Sequence, residues 1–572
     1  MATHLNECRQ GISRFFKVSM LLGMAGLAIL LAACGGSGPT QSNQNNGPHI
    51  LTIGASPNGD WTENYNPLLS NGNGGNLWGT DGLLYETLAF YNQTQSNSIT
   101  PMLAQSQELS TDGMTATFHL RQGVKWSDGQ PFTSADVVFT INYMIQNDSK
   151  GVDQPGLKSF VKSVSAPDAN TVVVNFNSPS ATNMWYLAGQ TYIIPQHIWQ
   201  SVTDPATYTN TNPVGTGPFV LKSFSPQIYK FKKNPNYWQP GLPKVDEVDY
   251  PAFSSNTSAT TLLTTGDIDW TGLFVADIQH VYINRDPAHN QFYSPGVQTT
   301  VLMMNLTKPL FKDVNVRKAI SAALNRAQYS QVAESGYQTV ANPTGIVLPA
   351  FKDWLDPSIT QTYTGPQPDQ SASLLQSDGW TKDSNGYFAK NGQELSFSIS
   401  APKGWSDWNQ METMIASDLK AAGIKVTVLE PAQSAWFTDV ANGNFDTIIH
   451  WSNHGPSPFY GLNAMLNSSF SAPIGKSAVS NYERWQDPNT DKLLNQFANT
   501  TDPSVQKQAM YGVEQIMVNQ VPVIPLLYGS DWNERTTARW TGWPTADNSY
   551  ALPAPFDAPD EEITILHLTP AS

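Results

Sequence analysis

Short apolar segments with two different periods alternate along most of the chain. Alternating or continuous apolar residues predict strands over 50–55, 115–120, 171–176, 424–429 and 522–527. Apolar residues at helical spacing predict one helix over 314–325 and another over 411–422, which Gly423 would end. Thr133 or Ser134 would begin a further helix, on which we expect Asp136 to lie on a solvated face. This alternation indicates a mixed α/β protein with several connected lobes.

The N-terminus has a different pattern. Basic residues within 1–17 are followed by an apolar run over 18–31 and then by small residues. That order predicts a secretory signal over 1–33, since the run is too short for a membrane-spanning helix. Residues 34–49 are rich in Gly, Ser, Asn and Gln, which predicts a flexible tether.

The end of the predicted signal reads Leu-Ala-Ala-Cys at 31–34. It resembles the bacterial lipobox, in which the cysteine is diacylated and becomes the first residue of the mature protein. An ordinary signal peptide with an incidental cysteine is the alternative. We expect a lipid on Cys34 to anchor an extracytoplasmic protein to the outer face of the bacterial cell membrane.

Composition excludes several classes of protein. The 572 residues are 40% hydrophobic and 11% aromatic, enough to bury large cores, which excludes a mainly disordered chain. A net charge of −15 with few cations disfavours a nucleic-acid partner. Cys8 and Cys34 are the two cysteines, which excludes a disulfide scaffold and a metal site built from several cysteines.

Several short motifs follow one another in a characteristic order. They are NPLL at 66–69, LYETL at 84–88, the stretch from STDG at 110–113 through FHLRQGVKWSDG at 118–129 to TSADV at 133–137, GTGPF at 215–219, NPNYW at 234–238 and DVNVRKAI at 313–320. Together they resemble the family-5 solute-binding proteins of bacterial ABC importers, which include dipeptide, oligopeptide, nickel and oligosaccharide binders. Read as residues, most of these motifs serve structure, because Asp-Gly pairs and Gly-Thr-Gly-Pro supply turns.

The resemblance implies a type II periplasmic-binding-protein fold of class α/β, with two hinged lobes and an additional α/β domain in the cluster C architecture. The implied segments are lobe I over 50–90, 213–300 and 527–572, the additional domain over 91–212, and lobe II over 301–526. It also implies a monomer that holds a small molecule in the cleft between the lobes, closes by a hinge motion and delivers its ligand to ABC permease subunits.

The ligand class depends on a loop and on the tryptophans. Peptide binders of this family resemble one another in a loop where an Asp clamps the peptide ammonium, and here that loop, 450–460, holds no carboxylate. Burying an ammonium without a counter-charge is unfavourable, which disfavours a peptide ligand. A dipeptide or oligopeptide stays the alternative, because some peptide members place their charge clamp elsewhere.

Several of the 17 Trp residues lie in polar, loop-like segments, where an indole can stack on a sugar ring. The stretch APKGWSDW at 401–408 and the C-terminal stretch 531–551 resemble those of cellobiose- and mannobiose-type members. We therefore predict a small oligosaccharide of the β-linked disaccharide class. The candidate ligand-binding residues are Trp61, Tyr65, Asn66, Trp405, Asp407, Trp408, Trp451, Asn453, His454, Tyr460 and Trp532.

Structural roles are the alternative for each candidate. Any of the tryptophans can belong to a core, Tyr65 and Asn66 can cap a turn, and the polar residues of the 450–460 loop can be scaffolding. For four other tryptophans we predict the core role: Trp126, Trp199, Trp238 and Trp354.

Two other functions, metal binding and glycoside hydrolysis, have partial support in the sequence. His450 and His454 have the i,i+4 spacing of a metal site on a helix, but Gly455 and Pro456 disfavour a helix there. Asp267 and Asp269 have the carboxylates of a glycoside hydrolase, yet the chain has neither H-E-x-x-H nor G-x-S-x-G. We expect no enzyme activity, no metal and no cofactor.

Overall fold

The computed structural model describes residues 47–57, 59–69, 75–95, 98–153, 155–363 and 365–571. The predicted signal, Cys34 and most of the predicted tether lie outside these residues. Within the described ranges, no helix has both the length and the hydropathy needed to cross a bilayer.

The strands follow the chain in this order: β1 Ile50–Gly54, β2 Ala89–Asn92, β3 Ser98–Pro101, β4 Ala104–Leu109, β5 Thr115–Leu120, β6 Val161–Asp168, β7 Thr171–Phe176, β8 Phe219–Ser225, β9 Ile228–Lys233, β10 Glu247–Pro251, β11 Trp270–Thr271, β12 Asn290–Phe292, β13 Gly296–Met304, β14 Thr381–Lys382, β15 Phe388–Lys390, β16 Gln393–Glu394, β17 Ser396–Ser400, β18 Lys425–Leu429, β19 Thr447–Trp451, β20 Val523–Ser530, β21 Glu534–Thr536, β22 Trp540–Thr541 and β23 Thr569–Pro570.

The α-helices are α1 Ser134–Gln146, α2 Leu157–Phe160, α3 Gln196–Trp199, α4 Asn256–Thr265, α5 Ile278–Val281, α6 Pro309–Lys312, α7 Val314–Ala323, α8 Arg326–Gln328, α9 Pro368–Ser377, α10 Ser406–Ala421, α11 Gln433–Asn442, α12 Pro458–Leu466, α13 Pro488–Ala498, α14 Pro503–Gln520 and α15 Asp560–His567. Tighter turns occupy Asp148–Lys150, Ile283–Arg285, Lys352–Trp354 and Ser468–Phe470, and wider π-helical turns occupy Trp185–Gly189 and Tyr329–Ala333.

Three sheets organise these elements. The first has seven strands in the order β12-β21-β11-β1-β10-β9-β8, with β1 parallel to β10 and β11 at its centre. The second has five strands in the order β18-β17-β19-β13-β20. The third is the antiparallel sheet β4-β5-β7-β6. We call the parts built on them the first lobe, the second lobe and the additional domain.

Two large apolar cores support this arrangement. One packs the second sheet between α7, α10, α12 and α14. The other joins the first sheet to the additional domain, since Phe118 and Val174 lie in the same cluster as Leu51 and Val248. The first lobe and the additional domain therefore share one core, and the second lobe has its own.

All the strands and helices predicted from periodicity are present; β5 and β7 have the predicted ends, and the others have shifted ends. Helix α10 begins at Ser406 rather than near 411, which places Asp407 and Trp408 in its first turn. Strand β20 extends to Ser530 and β13 begins at Gly296, so the second sheet continues past the predicted boundaries at 301 and 526. Those lobe boundaries stay predictions.

Helix α1 begins as predicted but corrects one expectation. Thr133 caps it, accepting from the backbone N–H of Ala135, and the Asp136 carboxylate accepts from the backbone N–H of Thr133. Asp136 is not on a solvated face. It is buried, and it also accepts from the backbone N–H of Gln196 at 3.0 Å, which ties α1 to α3. A capping carboxylate is held close to the backbone and is easily covered.

The motifs that carry the family resemblance meet at one junction. The backbone N–H of Gly217 donates to the carbonyl of Leu84, and the carbonyl of Gly215 accepts from Ser127, both at 2.9 Å. The Asn234 amide donates to the carbonyl of Gly217 at 2.8 Å. Segments that are far apart in sequence are thus fastened backbone to backbone where the additional domain joins the first lobe.

Several carboxyl groups are buried with at least one oxygen that has no hydrogen-bond partner among the described residues. Burial raises the pKa of Glu514 to about 8, although its carboxylate accepts from the backbone N–H of Asp356. Its other oxygen has no partner among the described residues. Similar values of about 8 hold for Glu412 and Glu483. Burial therefore favours the protonated form of these groups in the folded protein.

The Glu514→Gln variant is expected to flatten the pH dependence of stability. A carboxyl whose folded pKa is raised stabilises the protein below its unfolded pKa, near 4.3, and loses that contribution as pH rises toward 8. The loss has an upper limit of about 1.4 kcal/mol per pH unit for one group. Urea unfolding at pH 5 and pH 8 checks this, with exposed Glu430→Gln as the control; an equal pH dependence in both variants would contradict it.

Candidate functional site

A cavity of about 1390 Å³ lies between the two lobes and opens toward the additional domain. The first lobe contributes the loop after β1, the start of α4 and the C-terminal segment around Phe556. The second lobe contributes the start of β13, the end of β19, the start of α10 and residues along the length of α11. Loops that leave the ends of sheet strands form most of the lining, as is typical of binding sites in α/β proteins.

Three indoles form one wall of this cavity, and we call Trp405, Trp408 and Trp451 the tryptophan wall. Trp405 lies 5.0 Å from Trp408 and 6.2 Å from Trp451 between ring centroids, and the rings of Trp405 and Trp451 are inclined by only 24°. Trp451 ends β19, and Trp405 immediately precedes α10. Fully buried Trp436 backs the wall, 6.4 Å from Trp405.

The members of the tryptophan wall differ in exposure. Trp408 is buried, whereas Trp405 and Trp451 are half-buried. The indole N–H of Trp405 has no hydrogen-bond partner among the described residues. An unpaired buried donor is unfavourable, so this N–H is suited to a ligand oxygen.

Asp407 links the wall to the first lobe. Its carboxylate accepts from the side-chain amide of Asn256, at the start of α4, at 3.2 Å. Burial raises the pKa of Asp407 to about 6. Behind it, Glu334 is buried, and neither of its carboxyl oxygens has a hydrogen-bond partner in the part of the chain that the structure describes. Burial, followed by the charge of Asp407, raises the pKa of Glu334 well above its usual range.

The opposite wall carries Trp532 and two carboxyl groups. Trp532 packs against Phe274 at 5.6 Å and Tyr337 at 6.0 Å. Asp531 and Asp557 line the cavity beside it. Burial, and then the charge of Asp557, raise the pKa of Asp531 well above its usual range. Carboxyl groups in this setting accept hydrogen bonds from hydroxyl or ammonium groups of a ligand.

His454 joins elements from both sides of the cavity. Its Nδ1 lies 2.8 Å from Oε1 of Gln93, and its Nε2 lies 3.3 Å from Oδ1 of Asp557. Burial opposes the charged imidazolium, but the hydrogen bond and charge of Asp557 outweigh it and raise the pKa of His454. Neighbouring Asn453 also lines the cavity, with an exposed side chain.

Tyr460 lines the edge of the cavity but is mostly committed elsewhere. Its hydroxyl donates to the carbonyl of Thr182 at 2.8 Å, and its ring packs 4.5 Å from Trp185 and 5.4 Å from Tyr186. It therefore fastens the second lobe to the additional domain in addition to bordering the cavity.

Three candidate residues lie away from the cavity, and their structural role accounts for them. Trp61 is buried, and its indole donates to the carbonyl of Tyr250 at 3.1 Å. Tyr65 is fully buried against Phe231. The Asn66 amide donates to the carbonyls of Pro205 and Tyr208. The loop after β1 turns these side chains into the core, so we leave them out of the proposed site.

Some cavity residues were missed by sequence reasoning. Trp185 and Tyr186 come from the additional domain, in a π-helical turn, a conformation often found at functional sites. Phe437 and Gln338 line the second-lobe side, and Asp557 the first-lobe side. None follows a motif. For Asp557, the one feature of the sequence that could have pointed to it is its carboxyl group in the Pro-rich stretch before α15.

The residues that suggested a metal site or a glycoside hydrolase have structural roles in the fold. His450 is buried in β19, not on a helix, and burial lowers its pKa to about 4. Asp269 is buried, accepts from the backbone N–H of Thr52 and pairs with Arg539. Across the described ranges, no group of three or more His, Cys, Asp or Glu side chains is arranged to hold a metal ion.

Two α/β lobes around a ligand-sized cavity, with an additional domain beside them, define a solute-binding protein with the type II periplasmic-binding-protein fold. The chain belongs to the bacterial extracellular solute-binding proteins, family 5, whose model (family 5 Middle) matches residues 98–472. It is thus a substrate-binding component of an ABC transporter, a class that acts outside the cytoplasm with a small-molecule ligand and permease partners. Its relatives are solute-binding proteins, which fits a function without catalysis.

Several known proteins are similar to this chain. Protein XP55 of Streptomyces lividans is 26% identical over 531 residues, covering 91% of each chain. The glutathione-binding protein GsiB of Escherichia coli is 25% identical over 438 residues, 74% of this chain and 80% of that protein. The mannohexaose-bound periplasmic oligopeptide-binding protein of Thermotoga maritima superposes with a TM-score of 0.84 at 25% identity, covering 91% of this chain and 98% of that one.

Proposed function

We propose that the protein captures an oligosaccharide in the cleft between its lobes and delivers it to an ABC permease. The observation that carries this proposal is the tryptophan wall, whose half-buried members Trp405 and Trp451 line the cavity. Indole faces are apolar and flat, which suits the C–H face of a pyranose ring, while neighbouring carboxyl and amide groups suit its hydroxyls. The similar Thermotoga protein with mannohexaose bound supports the same ligand class.

The size of the cavity favours a ligand longer than two sugar rings. Sites for drug-sized molecules occupy about 300–1,000 Å³. At about 1390 Å³ the cavity exceeds that range. We therefore extend the β-linked disaccharide class to chains of several rings.

A peptide is the second candidate, and two observations favour it. Relatives of this chain are named for glutathione and oligopeptide binding. Asp531 and Asp557 also line the cavity and can face an ammonium group, although the 450–460 loop itself has no carboxylate.

Calorimetric titration of the detergent-solubilised full chain, unfolded and refolded to remove carried-over ligand, separates the two candidates. Two series of oligosaccharides, of the mannobiose and the cellobiose type and from two to six rings long, are expected to bind. Their dissociation constants are expected to fall with length, because each added ring buries more surface. Cellohexaose and maltohexaose are both chains of six glucose rings, β-linked in the first and α-linked in the second. Comparing their affinities measures the preference for linkage. Tetra-alanine and glutathione are expected to give no heat. Micromolar binding of either peptide with silent sugars would replace the oligosaccharide proposal with the peptide one.

The anchor is also a proposal. Leu-Ala-Ala-Cys at 31–34 and the polar stretch after it support a lipid on Cys34 that keeps a monomeric protein at the outer face of the membrane near its permease.

A further inference from the structure

His454 lies where the two lobes meet across the cavity. It belongs to the loop between β19 and α12 in the second lobe. Asp557 belongs to the C-terminal segment, which is fixed to the first sheet by the indole of Trp270 donating to the carbonyl of Pro553 at 3.1 Å. Gln93 follows β2, which packs on α15 through Phe90 and Ile563. Opening of a cleft between these segments would separate the His454 ring from both partners.

The partners determine how many protons the imidazole carries. A neutral imidazole has one N–H donor, and an imidazolium has two. Both ring nitrogens of His454 face oxygen acceptors, Oε1 of Gln93 at 2.8 Å and Oδ1 of Asp557 at 3.3 Å. With Oε1 of the Gln93 amide turned toward the ring, only the imidazolium donates to both. The Asp557 side chain is 7% exposed and that of His454 is 28% exposed, so the pair is largely shielded from water.

We propose that His454 takes up a proton when the lobes close, so that ligand capture is coupled to protonation and is tighter in acid. This inference rests on the proposed function only in requiring a ligand that closes the cleft, whether sugar or peptide. His454 is a positioning residue in this account, since it fastens the lobes around the ligand.

The direction of the pH effect follows from the charges around the ring. His454 faces Asp557 directly, Asp560 lies near enough to raise its pKa further, and Asp531 shares its environment with Asp557. An open cleft leaves His454 near the usual value of about 6.5. Affinity is therefore expected to fall as pH rises above 6.5, by at most tenfold per pH unit, and to level off below it.

Other groups in the cleft also take up protons on closing, so the test needs a matched variant. Asp407 and Asp531 are both buried carboxyls with raised pKa values. His197 pairs with Asp128 at 2.8 Å within the additional domain, away from the cavity. His454→Gln and His197→Gln thus remove the same kind of His–Asp contact, but only the first contact joins the two sides of the cleft.

The experiment is calorimetric titration of the full chain at pH 7.5 in phosphate and in Tris, whose ionisation enthalpies differ. The probe is mannohexaose, or tetra-alanine if only peptides bind. His197→Gln is expected to take up more of a proton on binding than His454→Gln, and only His454→Gln is expected to lose the steep part of the pH profile. Equal uptake in the two variants, with binding intact, overturns the inference and leaves the proposed function standing.

A ligand-free arm keeps the two proposals separate. Small-angle scattering of His197→Gln is expected to show a smaller radius of gyration at pH 5.5 than at pH 8.5, because protonated His454 favours the closed form. His454→Gln is expected to show less of this change. If the radius of gyration responds to pH identically in the two variants, the inference is overturned even if neither probe binds. If neither mannohexaose nor tetra-alanine gives heat in the titration, that result counts against the proposed function alone.

Discussion

Replacing Trp405 or Trp451 by alanine is expected to weaken mannohexaose binding by about 30-fold in each case. Either change removes roughly 80 Å² of apolar contact with a sugar ring, which at about 25 cal/mol per Å² corresponds to about 2 kcal/mol. Trp405 also has an indole N–H without a hydrogen-bond partner among the described residues. Because both side chains are only half-buried, the fold is expected to survive either substitution. Calorimetric titration with mannohexaose measures the change in dissociation constant.

Trp354→Ala is the matched control for this pair. Trp354 is also half-buried, packs against Phe497 at 5.6 Å and does not line the cavity. It is expected to lose stability and keep its affinity. Trp408→Ala is a poor test, because Trp408 is buried among the other indoles and its loss would leave a cavity in the core. Unchanged affinity in both Trp405→Ala and Trp451→Ala would place the ligand elsewhere in the cleft.

Most residues of the motifs that identify the family lie away from the cavity; the exceptions are Pro67, Leu68 and Leu69, which line it. Gly215, Gly217, Ser127 and Asn234 hold a backbone junction between the additional domain and the first lobe. That junction needs glycines and amides at fixed places, so it leaves short motifs that a single sequence reveals. The same residues do not line the cavity, and therefore they carry no information about the ligand.

Several predicted ligand residues that line the cavity lie in a segment with a local sequence signal. The stretch 401–408 combines aromatic residues with Gly and Asp just before a helix, and Trp405, Asp407 and Trp408 do line the cavity. Trp61 and Tyr65 carry a similar local signal, yet the loop after β1 directs them inward. Asp557 reaches His454 from 103 positions away (557 − 454), a contact that only the tertiary fold creates. Local pattern does not determine such long-range pairs.

Gly215→Ala is expected to have the largest effect on the fold. A Cβ atom at this position would lie 1.8 Å from the carbonyl oxygen of Leu84 and 2.7 Å from its carbonyl carbon. These are backbone atoms, so no side-chain rotation relieves the overlap, and the main chain of one segment has to move. We expect the variant to lose more than about 4 kcal/mol of stability, or to accumulate unfolded.

Gly296→Ala provides the control for Gly215→Ala, because the nearest atom to a Cβ there is Cβ of Tyr528 at 3.5 Å, an ordinary contact. Its melting temperature is expected to stay within a few degrees of the parent, against a fall of more than about 10 °C for Gly215→Ala. Thermal unfolding followed by circular dichroism measures both. A parent-like melting temperature for Gly215→Ala would show that residues 83–85 and 215–217 do not approach as closely as described. The family motifs would then lose the structural role assigned to them, and their place among ligand-determining residues would have to be reconsidered.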